Sequence, residues 1–419
     1  MRYQTLAEWL AWQETLHPKA IDLGLERVGE VLGRMGLGRP SHAVITAAGT
    51  NGKGSSVAML DAILRAAGYR VGTYTSPHLL RYNERVRING VEASDAALCA
   101  AFDRVDRARG DVSLSYFEFG TLAALDLLER AELDIAVLEV GMGGRLDAVN
   151  LIDADVALIT PIDVDHAEWL GPDRERIARE KAGIFRPHRP AICSDPHPPQ
   201  ALLAEAERLG TPLFILGRDY EFGVDGQQWW WRGTLQRREG LPLPALRGVS
   251  QTRNAAGVLM ALEQLTARVP VYQQDVRAGL LSVQLPGRFQ VLPGSVPRIL
   301  DVGHNPHAAA ELARNLAAWP CSGKTRLVIA MLGDKDAAGV VTELTPQVDS
   351  WYVAGLNGAR GSGHARLTAI LQAAGIASVQ AFDQVEDACR QAHAEAQAGD
   401  RVVVFGSFRT VAAALTVPV

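Results

Sequence analysis

One short turn constrains this chain more than any other feature. Ala48-Gly49-Thr50-Asn51-Gly52-Lys53-Gly54-Ser55-Ser56 follows the apolar run at residues 43–47 and opens a helical pattern over residues 55–67. Glycines let the backbone curl so that successive N–H groups face one point. The helix N-terminus adds the positive end of its dipole, and Lys53 adds a mobile point charge. Such a turn holds phosphate, and its setting between strand and helix points to a nucleotide. It is a variant of the strict G-x-x-x-x-G-K-[ST] loop: Ala47 stands at the first glycine and Gly54 separates Lys53 from Ser55.

The rest of the chain follows the same βα rhythm. Residues 70–74, 134–140 and 155–160 read as short apolar strands, with helices over 55–67 and 119–131. This alternation predicts a mostly parallel sheet covered by helices on both faces. Between residues 213 and 248 the texture changes. Runs at 222–224, 229–231 and 234–237 read as a small antiparallel region with Gly and Asp turns, followed by a helix over 252–265. Alternation resumes with strands at 298–302, 326–331, 351–353 and 401–405 and a helix over 307–317, which predicts a smaller Rossmann-like unit. At 419 residues the chain exceeds what one hydrophobic core usually serves. Pro286 and Gly287 punctuate it, so the expected domains are 1–285 and 286–419. Trp229-Trp230-Trp231 reads as a hairpin cover, Arg237-Arg238 as part of a solvated turn, and the region of Arg104–Arg109 as an exposed helix.

Charge and composition narrow the function. A net charge of -5 and a pI near 6.1 argue against a nucleic-acid binder held by phosphate contacts. The four cysteines lie far apart with no C-x-x-C pair, which suits a reducing compartment and neither a disulfide framework nor a zinc site. No basic start followed by an apolar core opens the sequence, and no apolar run reaches the roughly 18–20 residues that cross a bilayer. A cytoplasmic protein without membrane contact is the expectation.

Nucleotide phosphates are handled with Mg2+, which takes hard oxygen ligands and keeps several waters. Candidate ligands stand at strand ends, where open α/β sheets place their sites. Ser76 follows one strand, with Pro77 fixing the turn. Glu139 lies within an otherwise apolar strand, where a carboxylate is costly unless paired or bound to a cation; Arg145 and Lys53 are the alternative partners. Asp163-Val164-Asp165-His166 follows another strand, and a lone histidine there is by itself usually structural or merely exposed.

Taken in order, these segments resemble the folate ligase family, the dihydrofolate synthase and folylpolyglutamate synthase branch of the Mur ligase superfamily. The phosphate loop, the Ser76-Pro77-His78 turn, YNERVRIN at residues 82–89, Glu139 with its glycine loop, and His166 fall in family order. So do IAREKAGI at 177–184, Pro286-Gly287-Arg288-Phe289-Gln290, Asp301-Val302-Gly303-His304-Asn305-Pro306 and Gly333-Asp334-Lys335-Asp336. The resemblance implies ATP bound by Gly49, Thr50, Asn51, Gly52, Lys53, Gly54, Ser55, Asn254, Arg288 and Asp301. It implies two Mg2+ sites, one held by Ser76 and Glu139 and the second by His166, beside a carbamylated Lys181. His304 is implied to position or deprotonate an incoming amine.

The implied reaction is ATP-dependent ligation of L-glutamate to dihydropteroate, forming dihydrofolate, and to reduced folate mono- and polyglutamates, through an acyl phosphate. Members that do both resemble this chain at Asp22, Leu23, Gly24, Leu25, Glu26 and Arg27, at Ser115, Tyr116, Phe117 and Glu118, and at Leu146, Asp147 and Ala148. That resemblance implies a pterin pocket of stacking faces and few polar groups. Mur ligases that act on UDP-sugars usually carry a further domain before the phosphate loop, for which residues 1–48 leave no room. Two other readings stay in view: a nucleotide-binding module without turnover, and a plain ATPase. A monomer is the expected state. The chain departs from the family at Val149, where Thr is frequent, and at Val302-Gly303, where a Gly-Ala pair is common.

Overall fold

The computed structural model describes residues 1–19, 21–358 and 361–418. The chain divides into two compact units: Met1–Ala245 with Thr252–Val283, and Leu246–Gln251 with Gln284–Val419.

The first unit is built on eight strands: β1 Ala43–Ala48, β2 Val71–Tyr74, β3 Val86–Ile88, β4 Val91–Glu92, β5 Ile135–Glu139, β6 Val156–Ile159, β7 Ala191–Cys193 and β8 Leu213–Ile215. Their order is β4-β3-β2-β5-β1-β6-β7-β8, with β3 and β4 antiparallel at one edge and the rest parallel. The central strands are buried along their whole length, as uninterrupted apolar runs demand when helices cover both faces. β1 lies between β5 and β6, with Ala47 opposite both Glu139 and Leu158. The chain crosses over between these three strands, so their carboxyl ends open side by side into the crevice where sheets of this kind bind ligands. Helix Lys53–Ala66 follows β1, and helix Tyr116–Glu129 packs over the sheet.

A separate antiparallel sheet comprises β9 Glu221–Asp225, β10 Gln228–Arg232 and β11 Arg237–Pro242. Trp229 and Trp231 are buried and Trp230 is half-buried, as alternation on a strand requires. The third strand lies beyond the expected 234–237. The Glu263 carboxylate accepts the N–H groups of Thr234, Leu235 and Gln236 at 2.9, 3.2 and 2.9 Å, and so holds those residues in a turn. Arg238 is likewise buried rather than solvated, donating to Val271 O at 2.9 Å. The helix Asp95–Arg109 is less exposed than its charges suggest. Arg104 pairs with buried Asp126, and Arg109 is buried against Asp106 at 2.8 Å.

The second unit has a six-stranded sheet: β12 Gln290–Leu292, β13 Arg298–Asp301, β14 Thr325–Ile329, β15 Ser350–Ala354, β16 Val379–Phe382 and β17 Arg401–Phe405. The order is β12-β13-β17-β14-β15-β16, parallel except for β12. Its own core gathers Ile299, Leu327, Ile329, Trp351, Val403 and Phe405. Among the described residues, no helix is long and apolar enough to cross a membrane.

Candidate active site

The phosphate loop is shaped by two glycines in the left-handed half of conformational space, Gly49 at φ +147° and Gly52 at φ +97°. A Cβ on Gly49 would lie 1.8 Å from Thr160 Oγ1, and one on Gly52 would lie 2.8 Å from Asn254 Oδ1. Only glycine fits either place, and Asn254 is thereby set beside the loop. Lys53 folds back over the turn, donating to Gly49 O at 3.1 Å and Thr50 O at 3.4 Å. Gly52 caps the following helix without any side-chain hydrogen bond, and Ser55 is buried in its first turn. Thr50 ties the loop to the segment after β6. Its hydroxyl donates to Asp163 O at 2.8 Å and accepts from Asp163 N at 2.9 Å.

That tie brings Asp165 and His166 to the loop, and with Gly49, Thr50, Lys53, Met142, Gly143 and Lys181 they line one pocket. Lys181 is buried and donates to Gly49 O at 2.8 Å. Burial, and then the neighbouring Lys53 charge, lower its pKa to about 7. In the helix Arg174–Ala182, Lys181 lies on the same buried face as Ile177, Ala178 and Ala182, so its spacing from Ile177 and Ala178 is the sequence signal of its burial. A Cβ on Gly144 would stand 2.8 Å from Glu180 O and 3.0 Å from Lys181 O. Arg145, one of the alternative partners for Glu139, pairs with Glu180 at 2.8 Å.

Glu139 ends β5 and is buried, and Ser76 N donates to its Oε2 at 3.3 Å. A carboxylate and a hydroxyl at adjacent strand ends suit a hard cation that takes its remaining ligands from phosphate and water. Among the described residues no group of three or more His, Cys, Asp and Glu side chains is assembled as a closed metal cage. The oxygen donors Glu139 and Ser76 fit a hard divalent cation that takes its other ligands from phosphate and water.

A second cluster joins the N-terminal segment to helix Tyr116–Glu129. Arg27 reaches Asp22 Oδ2 at 2.5 Å and Glu118 Oε1 at 2.9 Å. Ser115 and Glu118 form a capping box, with Ser115 N and Oγ both 2.8 Å from Glu118 Oε2. Glu118 is therefore engaged in shaping this segment, which bears on its expected role as a ligand contact. Tyr116 and Phe117 are half-buried, their rings 5.9 Å from Tyr82 and 6.2 Å from Tyr74. Phe117 crosses over Gly141, where a Cβ would meet its Cζ at 2.5 Å. Asp147 accepts from Met142 N at 2.8 Å and Val149 N at 3.0 Å, and burial raises its carboxyl to about 6 against those hydrogen bonds. Leu146 is half-buried beside it and Ala148 buried. Leu23, Gly24 and Leu25 are half-buried and Glu26 exposed. Sequence reading missed His17, which bridges Ser113 Oγ at 2.7 Å and Asp22 Oδ2 at 3.1 Å.

In the second unit, Asp301 ends β13 and its carboxylate accepts from Phe289 N at 3.0 Å and Gly303 N at 2.8 Å. Burial raises its pKa while the Arg288 charge opposes the shift. The Arg288 guanidinium lies 5.0 Å over the Phe408 ring. His304 Nδ1 is 3.0 Å from Val302 O, and a carbonyl only accepts, so the ring proton sits on Nδ1. The family departure at Gly303 has a steric reason: a Cβ would stand 2.5 Å from Phe405 Cε2.

A strand-end phosphate loop in a parallel sheet, with a second Rossmann-like unit after it, is the architecture of a Mur ligase. Residues 47–212 match the Mur ligase middle domain, and residues 287–408 match the Mur ligase glutamate ligase domain. The dihydrofolate synthase/folylpolyglutamate synthase of Escherichia coli K12 is 47% identical over 407 residues, covering 97% of this chain and 94% of that protein. The structure of E. coli FolC in complex with DHPP and ADP is similar at a TM-score of 0.94 and 46% identity, covering 99% of this chain and 97% of that one. A bifunctional folylpolyglutamate synthase/dihydrofolate synthase with Mn, AMPPNP and L-glutamate bound gives 0.92 and 46%, covering 99% and 98%. The chain belongs to the dihydrofolate synthase/folylpolyglutamate synthase family.

Proposed function

We propose that this chain uses ATP to join L-glutamate to dihydropteroate, yielding dihydrofolate, and to lengthen reduced folates by further glutamates. One observation carries the reading. Lys53 lies across a loop whose following helix has a glycine at its N-cap, with Lys181 on the same loop carbonyl and Glu139 ending the next strand.

The substrate carboxylate oxygen attacks the γ-phosphorus of ATP, ADP leaves, and an acyl phosphate forms. The α-amine of glutamate then attacks the acyl carbon, and phosphate departs as the amide closes. Lys53 and the N–H groups of Gly49–Gly54 hold the phosphate oxygens as charge shifts onto the leaving group. Asn254, Arg288 and Asp301 complete the nucleotide contacts. His304, protonated on Nδ1, offers Nε2 as the acceptor for the ammonium proton of glutamate. Asp147 and the Tyr116 and Phe117 rings receive the pterin, whose flat ring wants stacking faces and a few polar partners. Asp22 and Arg27 brace that pocket.

Ser76 and Glu139 would hold one Mg2+, and His166 a second beside Lys181; Mg2+ neutralises phosphate charge during transfer. Lys181 with a pKa near 7 is partly a neutral amine, the form that adds CO2. Loss of a proton then leaves a carbamate, whose oxygens suit a hard cation. The relatives' bound ADP, AMPPNP, Mn, L-glutamate and DHPP support this division of the site. The protein acts as a cytoplasmic monomer on these small molecules, without nucleic acid or membrane.

The test is incubation of the purified protein with MgATP, glutamate and dihydropteroate, with dihydrofolate read by mass spectrometry. A parallel reaction holds a reduced folate monoglutamate. Product in both establishes both activities, and product from the folate alone reduces the protein to a polyglutamylating enzyme. Product in neither returns the chain to other Mur-type chemistry.

A further inference from the structure

The stretch at residues 82–89 has no part in the chemistry above, yet it is bonded to the Ser76 turn at many points. Glu84 accepts three successive backbone N–H groups: Leu79 on Oε2 at 2.7 Å, and Leu80 and Arg81 on Oε1, each at 2.7 Å. The carbonyl of Arg85 accepts from Thr75 N at 2.8 Å, and its Nε donates to His78 Nδ1 at 3.0 Å. A guanidinium only donates, so His78 Nδ1 is the acceptor and the imidazole carries its proton on Nε2. The Arg85 side chain is buried, with its guanidinium 5.0 Å from the Tyr82 ring and 5.6 Å from the Tyr116 ring. These two neighbours therefore hold the turn on both sides of Ser76, whose own N–H meets Glu139 Oε2 at 3.3 Å. Arg85 also joins that turn to Tyr116, at the start of the pterin segment.

We propose that Glu84 and Arg85 are positioning residues for the ligation: they hold residues 75–81 so that the Ser76 hydroxyl and Glu139 carboxylate face one magnesium–nucleotide, and Arg85 couples that turn to the Tyr116 end of the substrate pocket. The inference rests on the reading of Ser76 and Glu139 as metal ligands. Glu84 also closes the capping box of the short helix Tyr82–Arg85, but its carboxylate reaches three residues of the turn, while the Arg85 carbonyl holds Thr75 and its guanidinium holds His78.

The experiment uses the full chain and titrates Mg2+ at saturating ATP, glutamate and dihydropteroate, with melting temperature recorded alongside. Glu84→Gln keeps the side-chain volume but exchanges one acceptor oxygen for a donor. Arg85→Lys keeps the charge and loses the Nε donor and the planar face. In Glu84→Gln the Mg2+ half-saturation is expected to rise about 10–100-fold, the scale set by groups that orient metal ligands, with KM for glutamate unchanged. In Arg85→Lys, both the Mg2+ half-saturation and KM for dihydropteroate rise. An unmoved half-saturation in both variants overturns the proposal, whether or not the melting temperature falls. Ser76→Ala separates the two readings. If it leaves half-saturation unchanged while Glu84→Gln raises it, Ser76 is no ligand and the positioning role stands through Glu139.

Discussion

Each sheet has a strand–loop–helix turn, after β1 in the first and after β13 in the second, and the two finish differently. After β1, Gly52 is the N-cap of the helix Lys53–Ala66, in a left-handed conformation and with no side chain of its own to cap the first turn. After β13, Asn305 begins the helix Pro306–Ala318, and its Oδ1 accepts from Ala308 N at 2.9 Å. A helix N-terminus has backbone N–H groups that its own turns cannot satisfy, and a cap and an anion compete for them. In the first unit the glycine offers no side-chain acceptor for them, as the proposed phosphate site requires. In the second Asn305 takes one of them. The residue at the N-cap thus decides whether a side chain competes with an anion for the helix N-terminus.

The contrast can be tested in order of expected effect. Lys53→Ala removes the Lys53 charge from the phosphate loop, and kcat should fall about 10²–10³-fold, measured as ADP release with all substrates saturating. A loss under twofold would mean that the backbone N–H groups alone do the work. Glu139→Gln keeps the shape at the end of β5 and removes the charge; the metal requirement should rise about 10–100-fold in a Mg2+ titration. Chelation with EDTA should abolish turnover of the wild type. The proposed carbamate on Lys181 would form only from the neutral amine, so with a pKa near 7 it would persist above pH 7 and be lost as pH falls through 7. The rate should then drop toward about tenfold per pH unit on the acid side, and added bicarbonate should restore part of it. A flat profile between pH 6 and 8 would remove the carbamate from the mechanism. Asn305→Ala, in the capped turn, should cost about 1 kcal/mol of stability, read from denaturant melts, and change kcat less than Lys53→Ala does.

Much of this was legible in the sequence because it depends on local rules. The phosphate loop, the apolar central strands and the out-of-place Glu139 each announce themselves within a few residues. Strands of three residues or fewer did not. β4, β7 and β8 are too short to show a period, and the β3–β4 edge is defined by pairing rather than pattern. Long-range burial was hidden for the same reason. Lys181 does share the apolar face of Ile177 and Ala178, but nothing in the helix says what encloses it, and nothing around Arg238 says that Val271 accepts from it. Ser115 and Glu118 show the opposite case. Their spacing is a helix-start signature, and the structure uses them for that end.

The parallel core also limits how this chain can change in length. β1 and β5 pair with Ala47 opposite Glu139, and successive side chains on a strand point to opposite faces. Deleting or inserting a single residue within β5 would turn the Glu139 carboxylate to the other side of the sheet while leaving every backbone pair able to form. The chain would still fold around a sheet, and the carboxylate would be lost from the crevice. Length variation is open to the surface hairpin β9–β10 and closed to the three central strands, so related sequences that keep this activity should differ by indels in the one and by substitutions in the other.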